Sequence, residues 1–255
     1  MLASAVQGPL APSASAVAAL AVDERRRDGP GVWIPRPEIH LVVRFGPSTR
    51  GGVDVHVLGV RPRVHRKLMR GGQRTVTARL RLGEHEAVLG APASALAGRV
   101  VPLEDLWGDA AARRLFDRLG DARTTAGAAA ALENALAARL AIARGHRACP
   151  PLVLEAAGRL AHAPVSRVAA GLRVSERHLR RVFREALGLG PKTFARLARF
   201  RRALDAARED DGAGWASIAA AAGYYDQAHL IAEFRAISGA TPQGLLAELR
   251  AAAVG

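Results

Sequence analysis

One stretch of this 255-residue chain occurs twice, 51 residues apart. Aligning Ser175 with Asp226 brings His178 onto His229, Leu179 onto Leu230, Phe183 onto Phe234, Arg184 onto Arg235, Gly188 onto Gly239 and Pro191 onto Pro242. Each copy follows a short Ala-rich apolar run, Val165 to Leu172 and Trp215 to Ala222, and a tight turn. A short helix, a turn and a second helix opening on a capping residue make a helix-turn-helix. Two such units about one helix length apart suit successive major grooves on one face of duplex DNA.

Composition is compatible with that reading without selecting it. A formal charge of +14 calls for a polyanionic partner, a trait shared by ribosome-like, membrane-surface and DNA-binding proteins. Hydrophobic content of 49% excludes wholesale disorder, and no apolar run approaches the length needed to cross a bilayer. The lone Cys149 excludes an internal disulfide framework and fits a reducing compartment. With no basic start leading into an apolar stretch, the expected location is cytoplasmic, away from any membrane. A chain of this length can hold one large core or two modest ones, and two are expected.

The expected fold class is α+β. Residues 1–22, rich in Ala, Ser and Pro, read as a mobile arm. Residues 23–145 read as a β-rich domain closed by a helical hairpin. The β-branched run Ile39 to Phe45 and the alternating runs Val53 to Val57 and Thr75 to Leu82 supply its strands, and Leu103 to Ala143 reads as two helices broken around Asp121 to Thr125. Gly145 to Pro151 is the expected linker, and residues 150–252 are all helical. There Ser175 and Asp226 cap the second helix of each unit, Gly188 and Gly239 end it, and Pro191 and Pro242 open the next. The acidic run Glu209 to Asp211 stops the long middle helix, because carboxylates sit badly at the negative end of the helix dipole.

The first reading helix carries the sharper chemistry. Leu179, Val182, Phe183, Ala186 and Leu187 fall on one face and Arg177, Arg180, Arg181 and Arg184 on the other. Between Arg173 and Arg202 stand ten basic and two acidic residues. A guanidinium forks guanine O6 and N7 and also binds phosphate, so this face is able both to position and to specify. A solvated arginine face on a bundle helix is the bland account of the charge, and repetition of the whole unit weighs against it. In the second unit Ala228 and Ala232 replace Arg177 and Arg181, leaving Gln227, His229 and Arg235 as its polar reach. His178 and His229, three residues after a cap, suit either a phosphate contact or a plain helix-end hydrogen bond. Leu179, Phe183, Leu230 and Phe234 belong in the core.

The sequence from Ser175-Glu-Arg-His-Leu-Arg-Arg-Val-Phe-Arg-Glu to Gly188 and Pro191 resembles the AraC/XylS family of transcriptional regulators. So does Ala222-Gly-Tyr-Tyr-Asp-Gln-Ala-His-Leu through Phe234, Gly239, Thr241 and Pro242. The resemblance covers residues 150–250 and implies that Arg177 and Arg181, and in the second unit positions 228 and 232, occupy readout positions. The end departs from the pattern, with Gly244, Leu245 and Leu246 where the family has an aromatic residue followed by arginine. Residues 30–143 resemble the uncharacterised β-rich amino-terminal domain of one AraC-like subgroup, through Pro37 to Gly46, Leu89-Gly-Ala-Pro-Ala-Ser-Ala-Leu and Val101-Pro-Leu-Glu-Asp-Leu-Trp-Gly. That similarity implies a sensor or dimerisation module. Between Arg61 and Arg81 it carries eight basic residues and no acidic one. An anionic effector or a DNA flank could bind there, although a solvated strand edge blunted by charge is the favoured account.

Catalysis is not expected. His40, His56, His65 and His85 lack metal-ligand spacing, and nearby arginines would repel a cation. Cys149 has no acid-base neighbour beyond His146, so the bland reading as a linker cysteine is preferred over an alkyl-transfer nucleophile. The expected function is sequence-specific DNA binding by a transcriptional regulator. Its site residues are Ser175, Arg177, His178, Arg180, Arg181, Arg184, Gln227, His229 and Arg235. No cofactor or metal is expected. Double-stranded DNA is the expected partner, with RNA polymerase, a small-molecule effector at the amino-terminal domain and a second copy of the chain as further candidates. The alternatives are a weakly specific architectural DNA binder, and a ligand-binding or enzymatic β domain fused to a DNA module.

Overall fold

Alternating and β-branched runs in the amino-terminal region bury one face only when they pair, and they pair into two sheets. The computed structural model describes residues 16–25, 27–46, 49–143, 149–210 and 212–254. Residues 1–15 of the expected arm, 145–148 of the expected linker and position 211 of the acidic run lie outside them. The strands are β1 Val17–Glu24, β2 Gly29–Trp33, β3 His40–Phe45, β4 Val53–Leu58, β5 His65–Met69 and β6 Arg74–Leu80. After them come the short helices α1 His85–Leu89 and α2 Ala93–Leu96, strand β7 Val100–Pro102, and helices α3 Glu104–Trp107, α4 Asp109–Gly120 and α5 Thr125–Ile142.

Five strands form an antiparallel sheet in the order β1-β6-β3-β4-β7, while β2 and β5 pair separately as a two-stranded ribbon. Period-two alternation gives the five-stranded sheet one buried face. Leu41 and Val43 of β3, Val55 and Val57 of β4 and Val76, Ala78 and Leu80 of β6 are buried, as are Leu115 and Leu119 of α4 and Leu132 and Leu136 of α5. Each large apolar side chain buried in this way contributes about 1.5–3 kcal/mol. The opposite face carries His40, Val42, Arg44 and His56, and the ribbon stands over it.

Three expectations are corrected. Residues 17–22, read as part of a mobile arm, lie in β1, an edge strand whose ladder is completed by β6. Their Ala-rich sequence has weak strand propensity, and only the long-range partner makes them a strand. The β-rich part of the domain, ahead of the helices expected from Leu103, also contains α1 and α2. Two separate cores were expected, yet the buried residues form one continuous cluster from Ala16 to Leu246. At the seam Leu187 lines one small gap together with Ile39 and Val60.

The remaining helices are α6 Pro151–Leu160, α7 Val165–Gly171, α8 Glu176–Leu187, α9 Pro191–Glu209, α10 Trp215–Ala222, α11 Gln227–Ser238 and α12 Pro242–Val254. Helix α9 ends where the Asp210 carboxylate turns back to accept the Gly212 N–H at 2.9 Å. Its 19 residues span about 28 Å at about 1.5 Å per residue.

Candidate nucleic-acid interface

The two repeated units fold alike down to single hydrogen bonds. Ser175 accepts the His178 N–H at 3.1 Å, and Asp226 accepts the His229 N–H at 2.7 Å. Each cap satisfies one of the donors that a helix start leaves orphaned. At the far ends Gly188 and Gly239 sit in the left-handed region, φ 71 and 73, and donate to the carbonyls of Arg184 and Arg235. Leu179, Phe183, Leu230 and Phe234 are fully buried.

Helix α9 joins the units through a matching pair of aromatic contacts. Phe194 meets Phe183 edge-on with ring centroids 5.7 Å apart, and Phe200 meets Phe234 at 4.6 Å. Arg196 of α9 also grips Glu233 of α11 through Nε, 2.9 Å from Oε2, and Arg202 donates to the Ala222 carbonyl at 3.0 Å. Packed aromatics with partly buried polar contacts make the spacer a rigid part of both units.

The predicted first-unit residues come together. Ser175, Arg177, His178, Arg180, Arg181 and Arg184 line one open concavity on α8, with Glu185 at its edge. Arg180 is paired to Glu176 at 2.9 Å and Arg181 to Glu185 at 3.0 Å, both pairs exposed. The His178 ring lies 3.4 Å from Arg181. Arg177 and Arg184 make no ion pair among the described residues. Exposed pairs of this kind hold weakly and exchange readily for phosphate or a base edge.

On α11, Gln227, His229 and Arg235 are exposed together with Ala228 and Ala232, so the face matching that of α8 is open and carries fewer basic side chains. The His229 ring stands edge-on to Tyr224 at 5.4 Å, and the Arg199 guanidinium lies 5.7 Å from the Tyr224 ring centre. Burial, then Glu233, pushes the Tyr224 phenol above its ordinary range. The Tyr224 side chain is buried at the turn.

The turns of the two units differ by one residue. In the first, Val174 donates back to Ala169 and is followed directly by the cap, and Arg173 takes a left-handed conformation, φ 56. In the second, Tyr224 donates to Ala219 in the same way, but Tyr225 stands between it and the cap. This extra residue is 92% exposed at the entry to α11, an unusual place for an aromatic ring. The doubled tyrosine before Asp226 was its only trace in the sequence.

No curated protein matches the chain. In outline it is similar to crystal structures of ToxT from Vibrio cholerae. One is an apo variant, 9% identical, covering 91% of this chain and 97% of that one with a TM-score of 0.46. Another is bound to an unsaturated fatty acid, 10% identical, covering 89% and 94% with a TM-score of 0.45. A family model described as a helix-turn-helix domain matches residues 168–248, a span that holds α8 to α11 whole. The chain carries a DNA-binding helix-turn-helix domain over residues 168–248.

Proposed function

We propose that the chain binds a specific DNA sequence by laying α8 and α11 in successive major grooves on one face of the duplex. The observation that carries this reading is the pair of contacts from α9, Phe194 to Phe183 and Phe200 to Phe234, which hold two matching capped helices on one rigid spacer. Grooves on one face recur about every 34 Å, a distance within reach of units flanking a helix of this length. Arg177, Arg180, Arg181 and Arg184 supply base and phosphate contacts in the first groove, and Gln227, His229, Arg235 and Tyr225 in the second.

The chain acts by binding and not by catalysis. Burial, then Glu84 and Glu86, pushes the Cys149 thiol up to about 11, opposite to the shift an attacking thiolate needs. The amino-terminal domain serves this reading as a regulatory module with a small-molecule effector.

Hydroxyl-radical footprinting of DNA selected by the purified chain tests the reading. Two protected patches about one helical turn apart on one face are expected. Even protection that tracks salt and ignores sequence would make the chain an architectural binder instead.

A further inference from the structure

The β2–β5 ribbon stands over the five-stranded sheet across a cleft of about 220 Å³, and Arg61, Arg63, His65 and Lys67 are among the residues at its border. Arg63, His65 and Lys67 are exposed, and Arg61 is half-buried. All four lie in the stretch from Arg61 to Arg81, which holds eight basic residues and no acidic one. Elsewhere in that stretch the cations have partners within the protein. Arg66 forks Glu248 of α12 at 2.7 and 3.2 Å, Arg79 faces Glu38 at 3.6 Å, and Arg74 lies 5.2 Å from the Phe45 ring centre. Arg63 and Lys67 make no salt bridge among the described residues.

These cations stand at the end of one reading helix. The Val64 N–H donates to the Ile237 carbonyl of α11 at 2.9 Å. That carbonyl is one of the four that a helix end leaves without an intrahelical donor, and it points along the helix axis. The turn into β5 therefore prolongs α11, with Arg63, the neighbour of Val64, at the negative end of its dipole. Arg66 on Glu248, and Arg25 donating to the Ala252 carbonyl at 3.2 Å, fasten the same side of the domain to α12. The first unit is seated elsewhere, where a Cβ at Gly188 would lie 2.6 Å from the Ala93 carbonyl oxygen of α2. From Gln227 to Ile237, α11 rises about 15 Å at about 1.5 Å per residue, slightly more than the roughly 12 Å width of a major groove. Laid in the groove by its first turns, the helix brings its last turn over the phosphates that border the groove.

We propose that Arg63 and Lys67 bind the phosphate backbone flanking the second half-site, so that the amino-terminal domain extends the DNA interface beyond the two reading helices. The occupant is duplex DNA because the strip is cationic, exposed and continuous with α11. Phosphate contacts add affinity and fix position without reading bases. They offset the cations that α11 lacks at Ala228 and Ala232, where α8 has Arg177 and Arg181. The proposal rests on the reading of the chain as a two-unit DNA binder.

The test uses the full chain and a fluorescent duplex carrying both half-sites, with affinity read by anisotropy over a range of salt. Arg63→Gln with Lys67→Gln, both on exposed positions, should keep the circular dichroism of the wild type and bind about tenfold more weakly. The slope of log affinity against log salt should become shallower by about 2, and base preference should not change. Arg63→Lys with Lys67→Arg, which keeps both charges, should bind like the wild type. Trimming the duplex at the outer edge of the second half-site, the half whose base preference Arg181→Ala leaves alone, should cost the wild type a similar factor. The double glutamine variant should not respond to that trimming. An unchanged salt slope, or a variant loss that is equal on whole and trimmed duplexes, overturns the contact. Wild-type binding that ignores base changes in both half-sites would sink the two-unit reading. Binding that respects those changes and ignores the trimming sinks the ribbon contact alone.

Discussion

The Arg181 guanidinium, which faces solvent from α8, is held by Glu185 one turn further on, its Nη1 at 3.0 Å from both carboxylate oxygens. DNA and Glu185 compete for the same donors. Glu185→Gln should therefore raise DNA affinity about twofold to fivefold, the range set by an exposed ion pair. Arg181→Ala should cost about 1–3 kcal/mol and relax preference at one base pair. Quantitative gel shifts at fixed salt over a panel of single-base variants check both. A uniform loss across all sequences would make Arg181 a phosphate contact.

Ala228 and Ala232, exposed on α11 where α8 carries Arg177 and Arg181, imply unequal reading. The half-site facing α8 should tolerate mismatches poorly and the half facing α11 well, because hydrogen-bonding groups supply most base discrimination. Randomising each half-site and sequencing the bound DNA measures this. Equal information in the two halves would assign the readout to the wrong helix.

Tyr225 projects beside the first turn of α11 with its ring 92% exposed. Its hydroxyl is expected to bind a phosphate. Tyr225→Phe should then weaken DNA binding by about 0.5–1.5 kcal/mol without altering sequence preference. Tyr225→Phe that binds like the wild type while Tyr225→Ala does not would show that the ring, and not the hydroxyl, makes the contact.

Arg173 holds φ 56, a conformation that costs a non-glycine residue roughly 1 kcal/mol or more. Arg173→Gly should raise unfolding stability by about 0.5–1 kcal/mol, less the entropy that glycine returns to the unfolded chain. Affinity for DNA should fall evenly over all sequences, with a shallower salt slope, as one nearby cation is lost. Urea melts and salt titrations read the two effects separately.

Acid should destabilise this fold well above the carboxylate range. Burial, then Arg36, Arg79 and Arg201, holds His40 down to about 3 from an ordinary 6.5, and burial holds His85 down to about 4. Below about 6.5 the unfolded chain gains protons that the native chain refuses, so stability is full above that pH and is lost as pH falls towards 4 and then 3. The slope is at most about 1.4 kcal/mol per pH unit for each group. Urea midpoints between about pH 7 and 4.5 measure it, and His40→Gln should flatten it. A flat wild-type profile would place both imidazoles in contact with water.

What the sequence determined is what short-range physics controls. A cap, an apolar face, a left-handed glycine and a proline at fixed offsets specify each reading helix locally, so Ser175 and Asp226, Gly188 and Gly239, Pro191 and Pro242 were legible from their spacing alone. The arginine face of α8 followed from the same periodicity. Tertiary structure decided what depends on distant partners. Residues 17–22 became a strand only because β6 lies beside them, and β5 left the main sheet to pair with β2. The cleft joins residues from Trp33 to Val100, and the ribbon's grip on α12 joins Arg66 to Glu248. Contacts across such separations are set by how whole elements pack, and no local pattern of charge or hydrophobicity encodes them.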